Sequence, residues 1–123
     1  MIDTLTFTAK EDDQSLKADA GKWQMTLVPP QIIFDIAEVR AYGVEKYGSE
    51  NSWRLVKKIR YVNALFRHLI AYLIDPHSCD SESGISHFKH AECNMAFIAQ
   101  MQADEEKELK QLEREICHEQ KKD

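Results

Sequence analysis

The stretch Val56–Pro76, VKKIRYVNALFRHLIAYLIDP, decides the fold. Ile59, Val62, Leu65/Phe66, Leu69 and Tyr72/Leu73 recur every three or four residues, the period that lines one face of an α-helix rather than alternating across a strand. Arg60, Arg67 and His68 punctuate that stripe, and Asp75-Pro76 stops it, because a proline pushes the residue before it out of the α region. The spacing predicts a helix over about Val56 to Ile74. An arginine buried within such a helix needs a partner. For Arg67 the choices are a helix carboxylate such as Glu38, or a phosphate gripped in bidentate fashion.

Upstream, a second periodic stretch runs from about Gln31 to Lys46, with Ile32, Ile33, Ile36, Val39 and Tyr42/Gly43 on its apolar stripe. Pro30 suits its start, where a missing N–H costs nothing, and Tyr47-Gly48 suits its end. Glu38 and Glu45 are seven apart and share one side of this helix. They form either a solvated face or a seat for a hard divalent cation. Lys46, Asn51, Trp53 and Arg54 follow closely, offering two cations, an amide and a ring that either stacks on a base or joins the core.

Downstream, Asp80–Asn94 reads DSESGISHFKHAECN. Ser83 is placed to cap a third helix of about Gly84 to Ala103, on which His87, His90 and Asn94 fall three and four apart and project from one face. Asp80 and Glu82 lie just ahead, near a helix N-terminus that attracts anions. The cluster is either a metal or phosphate site or a polar helix face that happens to carry histidines. The run DEEKELKQLEREICHEQKK then extends the third helix or forms a fourth, with Leu109, Leu112 and Ile116 at heptad-like spacing. Residues 1–20 read as an extended N-terminal arm in which Leu5–Ala9 could add one short strand. The expected fold is an all-α bundle of three to four helices, divided into the arm (1–20), a helical domain (21–103) and a charged C-terminal helix (104–123).

The chain has 123 residues, enough for one domain, with 21 acids against 16 bases and a net charge of −5. That balance argues against a nucleic-acid polymer as partner, since duplex binding rests on clustered Lys and Arg. Cys79, Cys93 and Cys117 form no CxxC pair and read as free thiols. No apolar run approaches the ~20 residues that span a bilayer, and Met1–Lys10 lacks a signal-peptide core. A soluble, cytoplasmic protein without a membrane partner is expected. Walker, nucleophile-elbow and dinucleotide fingerprints are missing.

Taken together, GKWQMTLVPPQ, AEVRAYGVEKYGSENSWR, RYVNALFRHLIAYL and DSESGISHFKHAECN resemble the N-terminal-type domain of the dATP/dGTP diphosphohydrolase family of phages and bacteria. The resemblance spans about Gly21 to Phe97, and that family is similar in turn to the all-α pyrophosphohydrolases of the MazG type. It implies a MazG-like helical bundle assembling as a homodimer or homotetramer. It further implies Mg²⁺ or Mn²⁺ held by helix acids, and a purine deoxynucleoside triphosphate cleaved between its α and β phosphates. Residue by residue it implies Glu38, Asp80 and Glu82 for metal or water activation, and Lys46, Arg67 and His68 for phosphate. Asn51 and Trp53 fall to the base or sugar, and His87, His90 and Asn94 complete the pocket. One departure stands out: the ExxE and ExxD acids of the MazG metal site are missing, and HxxH stands where ExxD is expected. The same scaffold without metal chemistry would sequester a nucleotide, and a third reading is an interaction protein assembled through its charged C-terminal helix.

Overall fold

In the computed structural model, which describes residues 13–121, three helices carry the chain: α1 (Gln31–Tyr47), α2 (Lys58–Ile74) and α3 (His87–Lys121). Short 3₁₀ turns precede α1 at Gln14–Leu16 and Met25–Leu27, and another, Ser52–Leu55, lies between α1 and α2. Among the described residues there is no strand, only one antiparallel bridge between Cys79 and Ser86. The expected strand at Leu5–Ala9 lies outside the described residues. The all-α class holds with three helices, because the charged C-terminal run continues α3 without a break.

Local chemistry sets the helix ends. Pro30 stands at the N-cap of α1 with φ −74°, and Gly48 closes that helix at φ +71°, donating its N–H to the Val44 carbonyl at 2.8 Å. A left-handed residue at that position suits glycine, which has no Cβ to clash. Asp75 ends α2 directly before Pro76. Its carboxylate accepts the His77 N–H at 3.0 Å, and its carbonyl accepts the Ser78 hydroxyl at 2.7 Å, so the chain turns sharply. The third helix begins three residues later than Ser83 suggested: the Ser86 hydroxyl takes the Lys89 N–H at 3.2 Å and acts as the cap.

Both shorter helices pack on α3. Lys58 reaches Gln102 and Glu105, whereas Tyr72 meets Phe88, so α2 runs antiparallel to α3. Lys46 at the end of α1 reaches Glu82 ahead of α3, Glu38 reaches Lys89 and Arg40 reaches Phe97, so α1 lies across the first half of α3. Residues 48–57 link the end of α1 to the start of α2, and Trp53 within them reaches Phe97 of α3. Burial is concentrated near the start of α3: Val39, Ala91 and Cys93 form the apolar centre, with Asp35 and Asn94 beside them. Burial pushes the Cys93 thiol up to about 11, leaving it an inert packing group.

A buried polar cluster also fastens α1 to α3. The Gln31 amide donates to Asp35 at 2.9 Å and keeps that carboxylate below its usual range. Lys89 binds Glu38 at 2.7 Å and lies 3.9 Å from Asp35. Burial and the neighbouring Asp35 push the Glu92 carboxyl up to about 7, and its Oε2 is buried with no hydrogen-bond partner among the described residues. A carboxyl raised from 4.5 to about 7 adds stability below pH 4.5 that is lost as pH rises through 7. Glu92→Gln removes that pH-dependent cost. Thermal melts should show the variant a few degrees more stable at pH 8, about 3–5 °C, and equal to the parent near pH 4; equal melting at pH 8 would show that the pair is not strained.

Candidate functional site

The groove between α1 and α2, floored by α3, is a cavity of about 790 Å³. That volume accommodates a nucleotide-sized molecule. Its chemistry is divided along its length, and the division follows from the antiparallel packing.

One end is aromatic. Trp53, carried by the returning 3₁₀ turn, stacks on Phe97 with ring centroids 4.7 Å apart and planes at 18°, and Tyr61 meets the same ring at 4.7 Å. The Tyr61 hydroxyl donates to the Trp53 carbonyl at 2.7 Å, which fixes the loop to α2. Arg54 covers the Trp53 ring at 4.5 Å and Arg40 the Phe97 ring at 5.3 Å. Asn94 is buried in the floor, 8% exposed, about one turn from His90.

Seven residues farther along α2, a rise of about 10 Å, the lining becomes ionic. Lys46 and Arg67 face the cavity there with Asp80, Glu82, His68 and His90, while Arg60 lines it beside Tyr61. Lys46 is hydrogen-bonded to Glu82; the pairing raises the lysine and lowers the carboxylate, so both stay charged. Arg60 and Arg67 enter no ion pair among the described residues. Each is thus a cation offered to the cavity without a protein counter-ion.

The loop before α3 builds the acidic side. Asp80 Oδ2 accepts the N–H groups of Glu82 and Ser83 at 3.1 and 2.9 Å, and Gly84 at φ +71° turns its N–H back to the Asp80 carbonyl at 2.8 Å. Partial burial alone would raise Asp80, but the Ser83 and Glu82 hydrogen bonds and nearby His90 outweigh it and hold the carboxylate below its usual range. Ser83 does not cap α3. Its hydroxyl accepts the Ile85 N–H at 3.1 Å and lies 2.6 Å from His90 Nε2.

Three imidazoles meet behind this loop. The Nδ1 atoms of His68 and His87 share one proton across 2.9 Å, and the His68 ring stacks on His90 with centroids 4.8 Å apart. Burial, reinforced by the neighbouring imidazoles, pushes His68 down to about 4, and burial also lowers His90. Both are neutral at physiological pH and able to accept a proton.

Of the residues expected from sequence, the fold gathers Lys46, Trp53, Arg67, His68, Asp80, Glu82, His90 and Asn94 on this cavity, with His87 one hydrogen bond behind. It does not bring Glu38 or Asn51. Glu38 points to Lys89 and the Asp35 cluster, and Asn51 is an exposed loop residue whose N–H rests on the Ser49 hydroxyl at 3.1 Å. The metal trio of Glu38, Asp80 and Glu82 is therefore split, and Glu82 is already committed to Lys46. Among the described residues no group of three or more His, Cys, Asp or Glu is placed to hold a metal ion. The residues present do not fit a preformed divalent-metal cage.

Arg40, Tyr42, Arg60, Tyr61 and Phe97 line the cavity without having been singled out. Arg60 was detectable, because it precedes Arg67 by seven residues and so shares its side of α2. The others carry no such pattern. No helix of the described residues is long and apolar enough to cross a membrane.

Residues 12–111 match the family model described as dATP/dGTP diphosphohydrolase, N-terminal. A dATP/dGTP diphosphohydrolase of Salmonella phage PMBT28 is 35% identical over 83 residues, which are 68% of this chain and 28% of that protein. The chain thus aligns with little more than a quarter of its relative. No solved structure matches it.

Proposed function

The chain belongs to the dATP/dGTP diphosphohydrolase, N-terminal, family, and from that premise we propose that its cleft binds a purine deoxynucleoside triphosphate and hydrolyses it to the monophosphate and pyrophosphate. One observation carries this reading: an aromatic end and an end with the uncommitted Arg67 share one cavity, about 10 Å apart along α2. A base stacks at Trp53, Tyr61 and Phe97, while Lys46 and Arg67 neutralise the phosphate oxygens. Water attacks the α-phosphorus, the bond to the bridging α–β oxygen breaks, and pyrophosphate leaves with the electron pair. Asp80, ionised and held by two backbone N–H groups, is the acceptor that orients the water. Asp80 takes the proton of that water, and neutral His68 lies in the same cavity as a hydrogen-bond partner. The expected Mg²⁺ or Mn²⁺ has no prebuilt seat in these residues, and no step is assigned to it. The setting proposed is nucleotide-pool control in the cytoplasm of a bacterium or of a phage-infected cell.

The split of the expected acids favours one second reading, a nucleotide-sequestering protein on the same scaffold. Incubation with each deoxynucleoside triphosphate and Mg²⁺, Mn²⁺ or chelator, read as pyrophosphate release and thermal shift, separates the two. Release from dATP or dGTP is expected, with little thermal shift from either ion alone. A shift with nucleotide but no release would leave the sequestering reading, and neither response would remove both.

A further inference from the structure

Among the described residues, the distal part of α3 has no surface to pack on. Because α2 and α3 are antiparallel and Lys58, the first residue of α2, pairs with Glu105, residues 106–121 project beyond α2 by about 24 Å. On that projection Leu109, Leu112 and Ile116 form one stripe, between half and two-thirds exposed. A lone charged helix of this length is marginal without a partner.

The charges beside the stripe are sorted. Glu106, Glu108, Glu113 and Glu115 flank it on both edges, whereas Lys107, Lys110 and Arg114 lie on the opposite side. Two such stripes packed on each other would face glutamate with glutamate. The complementary surface is an apolar stripe edged with cations.

The face of α2 turned away from α3 has that character. Ile59, Phe66, Ile70 and Leu73 make an exposed stripe along the helix, Arg60 and Arg67 edge it, and α2 contains no acidic residue. We infer that residues 106–121 of α3 dock on this stripe of α2 in a second copy of the chain, with the glutamates of one copy against Arg60 of the other and Arg67 left to the cleft. Its own α2 is out of reach, because the projection starts where that helix begins. Exchanged between two copies related by a two-fold axis, the contact occurs twice. Arg60 and Arg67 also line the cavity, so the docked helix borders the substrate cleft of its partner.

The test compares the whole chain with two variants by sedimentation velocity, with circular dichroism to confirm helicity. One variant carries Leu109→Ser, Leu112→Ser and Ile116→Ser; the other carries Phe66→Ser and Ile70→Ser. All five side chains are more than half exposed in the single chain, so the substitutions leave its interior intact. The parent should be a dimer, each variant a monomer, and a 1:1 mixture should recover a dimer through the one intact contact. Raising salt from 50 to 500 mM should weaken the parent dimer by roughly an order of magnitude, because glutamate–arginine attraction is screened. Tail-to-tail pairing predicts the reverse salt trend and a face variant that stays dimeric. That result, a dimeric tail variant, a monomeric parent or a mixture that fails to recover would each overturn the proposal.

Discussion

Asp80→Asn is expected to lower kcat for pyrophosphate release by about 10³-fold while changing KM little. The charge is what the reaction uses, and the substitution removes it without removing the loop. An asparagine side-chain oxygen can still accept the N–H groups of Glu82 and Ser83, so the turn that carries Asp80 keeps both anchors. Melting temperature should stay close to that of the parent. Glu38→Gln gives the contrast: its carboxylate faces Lys89 on the far side of α1, and turnover should remain within about twofold. Steady-state assays of both variants decide the matter. An Asp80→Asn enzyme that keeps most of its kcat would remove Asp80 from the chemistry, and a large loss at Glu38 would restore the acid expected from sequence.

Arg67→Ala should act on binding. A guanidinium without a protein counter-ion, facing the cavity on the same side of α2 as Arg60, is available to a phosphate in bidentate fashion. Charge-assisted hydrogen bonds of this kind contribute about 1.5–3 kcal/mol, so nucleotide affinity should fall by roughly 10- to 100-fold. Arg67→Lys should recover only part of this, since an ammonium offers a point charge in place of a planar fork. Titration calorimetry with dATP and dAMP distinguishes the role: the triphosphate should lose far more than the monophosphate. Equal losses would place Arg67 at the nucleoside, and no loss would place it outside the site.

Family membership was legible in the sequence, because four motifs in order leave little room for another reading, and the model match over residues 12–111 agrees. The helices were legible too. Their boundaries fell within a few residues of Gln31–Tyr47 and Lys58–Ile74, since apolar period, Pro30, Gly48 and Asp75-Pro76 are local instructions. The start of α3 was misplaced for a local reason as well: Ser83 and Ser86 are both competent caps, and the bond from Ser83 to His90 frees Ser86 for the task.

The sequence by itself determined a bundle of three to four helices, the ends of α1 and α2, and most of the side chains that meet in the cleft. Only the tertiary structure decided which way those helices run and rotate against one another. Helical period places Glu38 on a side of α1 but cannot say whether that side meets the cleft or Lys89. The seating of both short helices on α3 turns Glu38 to Lys89, returns the Trp53 loop to Phe97 and brings Arg67 into one cavity with Lys46 and Asp80. Each of these outcomes depends on contacts between residues distant in the chain, and no local propensity contains that information.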